Sequence, residues 1–349
     1  MRRFSLLSLL FIIALAATGC RLWPGPPAPS TPLPTPTPPR VEDAGKRSPV
    51  VEGRLLYARG GSIWLRSGTT AQRLTEGLWA TQPCWSPDGR QVVFIVRDEA
   101  YSDLWVMDAD GRNGHPLTAN RSEVAGFTPE FAHSSFWAFQ PQWGPPEGEW
   151  IYYISHTRPE ALSSNMSIWM IRPDGTEEHR LLPMNGQVES PVWSPDGQML
   201  AFAYMPYETG PQLHYYDPNS GQVLDLGEKV EGIERYDPAW SPDGAWIAYA
   251  ARQRGPTEST DIWVMPSPLN PLFFGDWSSV RLTEQGAARA PAWSPDGKQM
   301  AFIAVESDSF DLWLLNLEWA PGQPPKPAGA EKLTSGAQVD ATARPSWAP

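Results

Sequence analysis

Trp85-Ser86-Pro87-Asp88-Gly89 is one of four copies of a single pentapeptide, repeated at Trp193–Gly197, Trp240–Gly244 and Trp293–Gly297, each with a proline two residues before its tryptophan. A degenerate copy runs from Pro141 through Trp143 and Gly144 to Gly148, and a truncated one, Pro345-Ser346-Trp347-Ala348-Pro349, comes last. The copies recur at roughly 50-residue intervals, a period that signals a repeat architecture. The same segments follow each one. An apolar run comes first (Val92–Ile95, Ile151–Tyr153, Leu200–Phe202, Ile247–Tyr249, Met300–Phe302). A pair follows it (Leu104-Trp105, Ile168-Trp169, Leu213-His214, Ile262-Trp263, Leu312-Trp313), and then Leu117-Thr118, Leu181, Leu224, Leu282-Thr283 or Leu333-Thr334. Short β-branched and aromatic runs bounded by Pro, Gly and Asp read as strands and turns.

The unit is therefore four strands, A to D, with Pro-Asp-Gly as the turn between A and B. Proline presets φ there and glycine accepts a positive φ. One such sheet cannot cover both of its faces, but sheets stacked radially cover each other. The expected fold is all-β, a six-bladed β-propeller of four-stranded antiparallel blades. Core packing between blades accounts for the tryptophans.

The two ends of the repeat region complement each other. Leu55-Leu56-Tyr57, Ile63-Trp64-Leu65 and Arg73-Leu74-Thr75 match strands B, C and D with no strand A before them. Arg344–Pro349 supplies a strand A with nothing after it. Pairing the C-terminal strand A with the N-terminal strands B–D would close the ring and remove its exposed edge.

Residues 1–53 read differently. Arg2 and Arg3 precede an apolar run, Phe4–Ala17, which is too short to span a bilayer comfortably as a mature helix. Ala17-Thr18-Gly19-Cys20 resembles a bacterial lipobox, which implies acylation of Cys20 and makes 1–20 a lipoprotein signal peptide. Ordinary signal cleavage, with Cys20 incidental, is the competing reading. Residues 21–53 form a proline-rich tether, favouring polyproline II at about 3.1 Å per residue. The propeller is expected over 54–349.

Pro-x-Trp-Ser-Pro-Asp-Gly, followed by Ile/Met-Ala-Phe/Tyr, Asp-Ile/Leu-Trp-Val-Met and Arg-Leu-Thr, is similar to the repeat of TolB-type six-bladed propellers. Asp103–Met107, Asp261–Met265 and Arg281–Thr283 carry the likeness most closely. It covers about Arg54–Pro349. Periplasmic TolB has an α/β domain before its propeller, whereas this chain has a lipobox and a tether, so the Tol–Pal role does not carry over. The same repeat also stands before serine-peptidase domains. With the sequence ending at Pro349, none is expected to follow.

Composition excludes some functions. The 349 residues carry a formal charge of −12, with no basic stripe, so a nucleic-acid partner is not expected. There is no Gly-x-Ser-x-Gly elbow, and the five histidines are scattered without zinc-ligand spacing. Asp88, Asp196, Asp243 and Asp296 belong to different blades, and turn chemistry explains them. Asp108–Asn113 lacks the glycine and glutamate of a calcium loop and aligns with the C–D turns. No metal or cofactor is expected. Cys84, between Pro83 and Trp85, reads as a small buried residue, not a reactive thiol.

Loop length is the informative irregularity. A–B and C–D turns share one face of the ring and are expected to be short and uniform. The B–C and D–A loops share the other and vary. The longest, Ala119–Gln140, carries Phe127, Phe131, Phe136, Trp137 and Phe139 beside Glu130 and His133. Function sits on variable loops over rigid scaffolds, although these aromatics could equally pack down as a lid. The residues before the strand A prolines (Gln82, Gln140, Ser190, Asp237, Ala290 and Arg344) are expected to ring the channel mouth. Asp237 and Arg344 face it as an unpaired charge couple, with Tyr236, Trp137, Arg235 and Trp79 nearby.

The expectation is a monomeric, lipid-anchored protein on the extracytoplasmic side of the cell envelope that acts as a protein-interaction scaffold and not an enzyme. The alternative is capture of a glycan or peptide at the channel mouth, by Gln82, Gln140, Ser190, Asp237, Arg344, Tyr236 and Trp137. A lyase or hydrolase is the weakest reading.

Overall fold

The structure, a computed structural model, describes residues 49–124, 126, 128, 131, 134–145, 147–156, 165–206, 210–255, 258–306 and 308–348. Cys20, the lipobox and the tether up to residue 48 lie outside the described residues, as do Phe127, Glu130 and His133.

Six four-stranded antiparallel sheets are present. The first blade holds β1 (Val51–Arg59), β2 (Ser62–Gly68) and β3 (Thr70–Arg73), and the second β4 (Ala80–Trp85), β5 (Gln91–Arg97), β6 (Ser102–Asp108) and β7 (His115–Pro116). The third is β8 (Ala138–Trp143), β9 (Ile151–His156), β10 (Met166–Ile171) and β11 (His179–Leu182), and the fourth is β12 (Gln187–Trp193), β13 (Leu200–Met205), β14 (Gln212–Asp217) and β15 (Gln222–Asp225). The fifth is β16 (Ile233–Trp240), β17 (Trp246–Gln253), β18 (Ser259–Pro266) and β19 (Val280–Arg281). The sixth is β20 (Ala288–Trp293), β21 (Gln299–Glu306), β22 (Ser309–Glu318) and β23 (Lys326–Lys332). The last strand, β24 (Ser346–Ala348), belongs to the first blade and pairs with β1 at Arg54↔Ala348, Leu55↔Trp347 and Leu56↔Ser346. The ring closes through both ends of the chain.

The turn between the first two strands of a blade is built as its sequence suggests. Ser86 Oγ donates to Asp88 Oδ1 at 2.7 Å, and that oxygen also accepts the Arg90 N–H at 3.0 Å. Ser194 with Asp196, Ser241 with Asp243 and Ser294 with Asp296 repeat the bond. Gly89, at φ +65°, accepts the positive φ that the turn needs. These aspartates are turn residues.

The core sits between the blades. Phe94, Trp105 and Met107 of the second blade pack on Leu56 and Ile63 of the first. Ile303 and Leu312 of the sixth pack on Leu55 and Tyr57 from the other side. Strand A tryptophans also bond across: Trp240 Nε1 donates to the Val192 carbonyl at 3.2 Å, and Trp293 Nε1 to that of Ala239 at 3.1 Å. Burying such aromatics stabilises the wedge on the order of 3–5 kcal/mol each, judged by truncation.

One expectation fails. The turn face is not uniformly short, because the C–D connection of the fifth blade runs from Ser267 to Ser279. Its prolines Pro268 and Pro271 cannot donate to a ladder. The backbone is tied instead through Ser267 Oγ to the Leu269 N–H and Asn270 Oδ1 to the Leu272 N–H. Leu272 and Phe274 are left exposed at its tip.

Candidate functional site

Five of the expected channel residues share an unusual backbone. Gln82, Gln140, Ser190, Asp237 and Ala290 have φ of 51°, 50°, 54°, 52° and 54°. A non-glycine residue in the left-handed region costs roughly 1–2 kcal/mol. Each sits where its strand slips register against the next, between Thr81 and Cys84, Phe139 and Gln142, Glu189 and Val192, Tyr236 and Ala239, and Arg289 and Ala292. These are β-bulges, which bend a strand and re-aim its side chains.

The re-aimed side chains hold each other. Gln82 Oε1 accepts the Gln140 N–H at 2.7 Å, and Gln140 Oε1 accepts the Ser190 N–H. Ser190 Oγ donates to Asp237 Oδ1 at 2.9 Å, and Asp237 Oδ2 accepts the Ala290 N–H at 3.1 Å. Gln82 Nε2 reaches back to the Thr342 carbonyl at 3.2 Å. A hydrogen-bonded relay thus runs from blade to blade, and it stops at Ala290, whose methyl offers no acceptor to the following blade. Arg344 stands at that gap. Its Nε and Nη2 are buried without a hydrogen-bond partner.

All six of these residues line one narrow cavity of about 20 Å³ in the channel, together with Gln142, Arg289 and Thr342. Expectation and structure differ in how open and how charged this place is. Gln82, Ser190, Asp237 and Ala290 are buried, so they form a waist and not a mouth. Asp237 is not unpaired, because Arg289 Nε meets its Oδ2 at 3.2 Å. The bulge explains why Arg289 escaped the sequence reading. Strict alternation would turn it away from the face that Ala290 serves, whereas the bulge brings both into the channel.

Electrostatics follow from the burial. Desolvation alone would raise the Asp237 carboxyl, but the Arg289 and Arg344 guanidiniums and the Ser190 hydroxyl outweigh it and hold the group below its usual range. The Asp237 charge raises Arg289. Burial pulls Arg344 down, although a guanidinium stays charged in a protein. Burial also pushes the neighbouring Glu189 carboxyl up, against the pull of Arg289.

Beyond the waist, on the A–B turn side, the channel widens to a cavity of about 290 Å³. Trp193, Trp240, Trp293 and Trp347 line it with the turn prolines Pro195, Pro242 and Pro295, and Arg344 lines both cavities. The sequence reading placed the channel's open end on the other face and missed this funnel. Its signal is the strand A tryptophans, which pack in the core as expected and also line the funnel.

Tyr236 and Trp137 are not among the residues lining either cavity. The Tyr236 hydroxyl donates to Glu234, a buried carboxylate that Arg252 also approaches at 3.7 Å. Arg235 lies over Tyr249 at 5.8 Å and donates to the Glu228 carbonyl. Trp137 is on the loop face, stacked on Phe139 with centroids 5.9 Å apart and planes within 3°. Arg97 Cζ stands 5.4 Å from the Trp137 ring, and the Arg97 N–H donates to the Trp79 carbonyl. Trp79 itself is 56% exposed. The two ends of the long loop are tied to the second blade, with Asn120 Nδ2 donating to the Ser102 carbonyl and Ser102 Oγ to that of Ala138. Phe131 is buried, so part of the loop does pack down. Cys84 is buried and free, and burial raises its thiol pKa, the condition of an unreactive cysteine. Among the described residues no group of three or more His, Cys, Asp or Glu side chains could hold a metal ion.

The solved structures that resemble this ring include TolB from Acinetobacter baumannii, at TM-score 0.61 and 15% identity, covering 84% of this chain and 66% of that one. A putative TolB from Agrobacterium tumefaciens matches at TM-score 0.58 and 17% identity, covering 84% of this chain and 93% of that one. The fold is a TolB-like propeller. No protein-family model matches the chain. Among curated proteins, the uncharacterized peptidase YuxL of Bacillus subtilis is 23% identical over 249 residues, covering 69% of this chain. This TolB-like chain matches 32% of that relative's length.

Proposed function

We propose that this TolB-like propeller is a binding protein and not an enzyme, a protein-interaction scaffold held on the extracytoplasmic side of the cell envelope by a lipid on Cys20. The observation that supports it is the Trp137–Phe139 stack with Arg97 over it on the loop face, with Trp79, whose carbonyl takes the Arg97 N–H, exposed nearby. Tryptophan and arginine dominate the energetic centres of protein interfaces, where truncating one costs roughly 2 kcal/mol or more. The ring beneath is closed and well packed, so the scaffold itself carries no ordering cost at binding.

The test is capture of envelope proteins by purified wild-type protein and by the double variant Trp79→Ala/Trp137→Ala. Partners specific to the wild type should be lost at an unchanged melting temperature. If the variant retains the same set at the same yield, the loop-face reading fails.

A second reading is favoured by the waist and funnel, which together form a site for a small guest. Gln82, Gln140, Ser190, Asp237 and Arg344 would contact it. Tyr236 and Trp137 would not, since neither lines the cavities.

A further inference from the structure

Arg344 is the point at which the channel is chemically incomplete. In the other blades, a ring side chain either accepts from the next ring position or donates to it. Ala290 can do neither, and the two guanidinium atoms without partners, Nε and Nη2, are buried at that gap. A buried donor left without an acceptor is costly, and more so when it is charged. Asp237 attracts Arg344 electrostatically but accepts no hydrogen bond from its Nε or Nη2. Nε and Nη2 are also the two atoms that present parallel N–H groups along one edge of an arginine. That edge is the fork which matches the two oxygens of a carboxylate.

The surroundings fix the rest of the ligand. On one side of Arg344 the cavity is about 20 Å³, room for little more than a small head group. On the other it is about 290 Å³ and lined by tryptophan and proline. Arg289 and Arg344 both line the small cavity, and Asp237 is the one carboxylate lining it with them.

We propose that the channel binds an organic carboxylate with an apolar or aromatic body, its carboxylate on the guanidinium of Arg344, which lines both cavities, and its body in the tryptophan–proline funnel. This rests on the channel reading above and is independent of the loop-face cluster. The carboxylate can come from a free small acid or from the C-terminus of a peptide ending in an apolar residue.

Calorimetric titration of the purified full chain tests it with phenylacetate against phenylacetamide, and with Ala-Ala-Phe against its C-terminal amide. Saturable binding of an acid with at least about tenfold loss for its amide is expected, the fold-change that a lost charge-assisted fork produces. If phenylacetate alone binds, the source is a free acid; if the peptide binds more tightly, it is a chain terminus. Arg344→Lys keeps the charge and removes the fork, and should lose affinity at an unchanged melting temperature. If that variant does not fold, the acid–amide comparison on the wild type still decides. Equal affinity for acid and amide would overturn the carboxylate assignment and leave the channel a binding site. No binding of any of the four probes would overturn both.

Discussion

Asp261 and Asp311 are buried at the start of the third strand of their blades, and each is paid for by local donors. Asp261 accepts from Thr283 Oγ1 at 3.0 Å, the Gly286 N–H at 3.1 Å and Arg281. Asp311 accepts from Thr334 Oγ1 at 2.9 Å and the Gly336 and Ala337 N–H groups. The threonine in turn accepts the Ile262 or Leu312 N–H, so one carboxylate ties strand C to the loop after strand D. The Asp-Ile/Leu-Trp and Leu-Thr segments were legible as repeats, but this bond between them was not, because it joins residues about twenty positions apart. Burial would raise the Asp311 carboxyl, yet its donors outweigh burial and hold it low. A group whose folded pKa is depressed stabilises above its unfolded pKa and loses that contribution as pH falls through the folded value. Asp311→Asn should therefore cost roughly 1.5–3 kcal/mol at neutral pH. The gap to wild type should shrink as pH drops below about 4, the ordinary aspartate range. Melting temperatures of both proteins from pH 7 to pH 3 check this, and a constant gap would refute it. Arg289 shows the same limit of legibility from another side: it is an ordinary letter in the sequence, and the bulge at Ala290 gives it its setting.

Among the elements, β24 is the one on which the ring depends. Its three residues pair with β1, Trp347 Nε1 donates to the Glu52 carbonyl, and Ser346 Oγ accepts the Trp85 N–H of the second blade at 3.0 Å. Removing residues 344–349 strips the first blade of its inner strand and the funnel of Trp347. Aromatic truncations in cores cost roughly 3–5 kcal/mol, and the bared edge of β1 adds an aggregation hazard. The shortened chain should melt well below the full one or aggregate on expression; equal melting temperatures would show that the ring does not need its closure. This element was readable in advance because a strand A without followers and strands B–D without a leader are complementary gaps. The Ser267–Ser279 connection was not readable in the same way. Nothing in the repeat's period says where an insertion falls between C and D, and its apolar tip at Leu272 and Phe274 resembles a strand in composition.

At the scale of the whole molecule, the position of the chain's entry matters most. Val50 and Glu52 bond to Gln299, the first residue of β21 beyond the Pro-Asp-Gly turn of the sixth blade, and Arg66 holds the Pro49 carbonyl. The chain therefore joins the ring on the turn face, where the funnel also opens. The Trp79–Trp137 cluster lies on the opposite face. An anchor acting through Cys20 and a partner acting through Trp79 would then be separable functions. Cys20→Ser should move the protein from the membrane to the soluble fraction, with its melting temperature unchanged. The soluble form should still capture the partners that depend on Trp79, since the lipid contributes membrane affinity and not the loop-face contacts. Fractionation and immunoblotting check the first outcome. A variant retained in the membrane at its unprocessed length would mean that Phe4–Ala17 serves as an uncleaved anchor. A soluble variant that no longer captures those partners would mean that the membrane itself forms part of the binding surface.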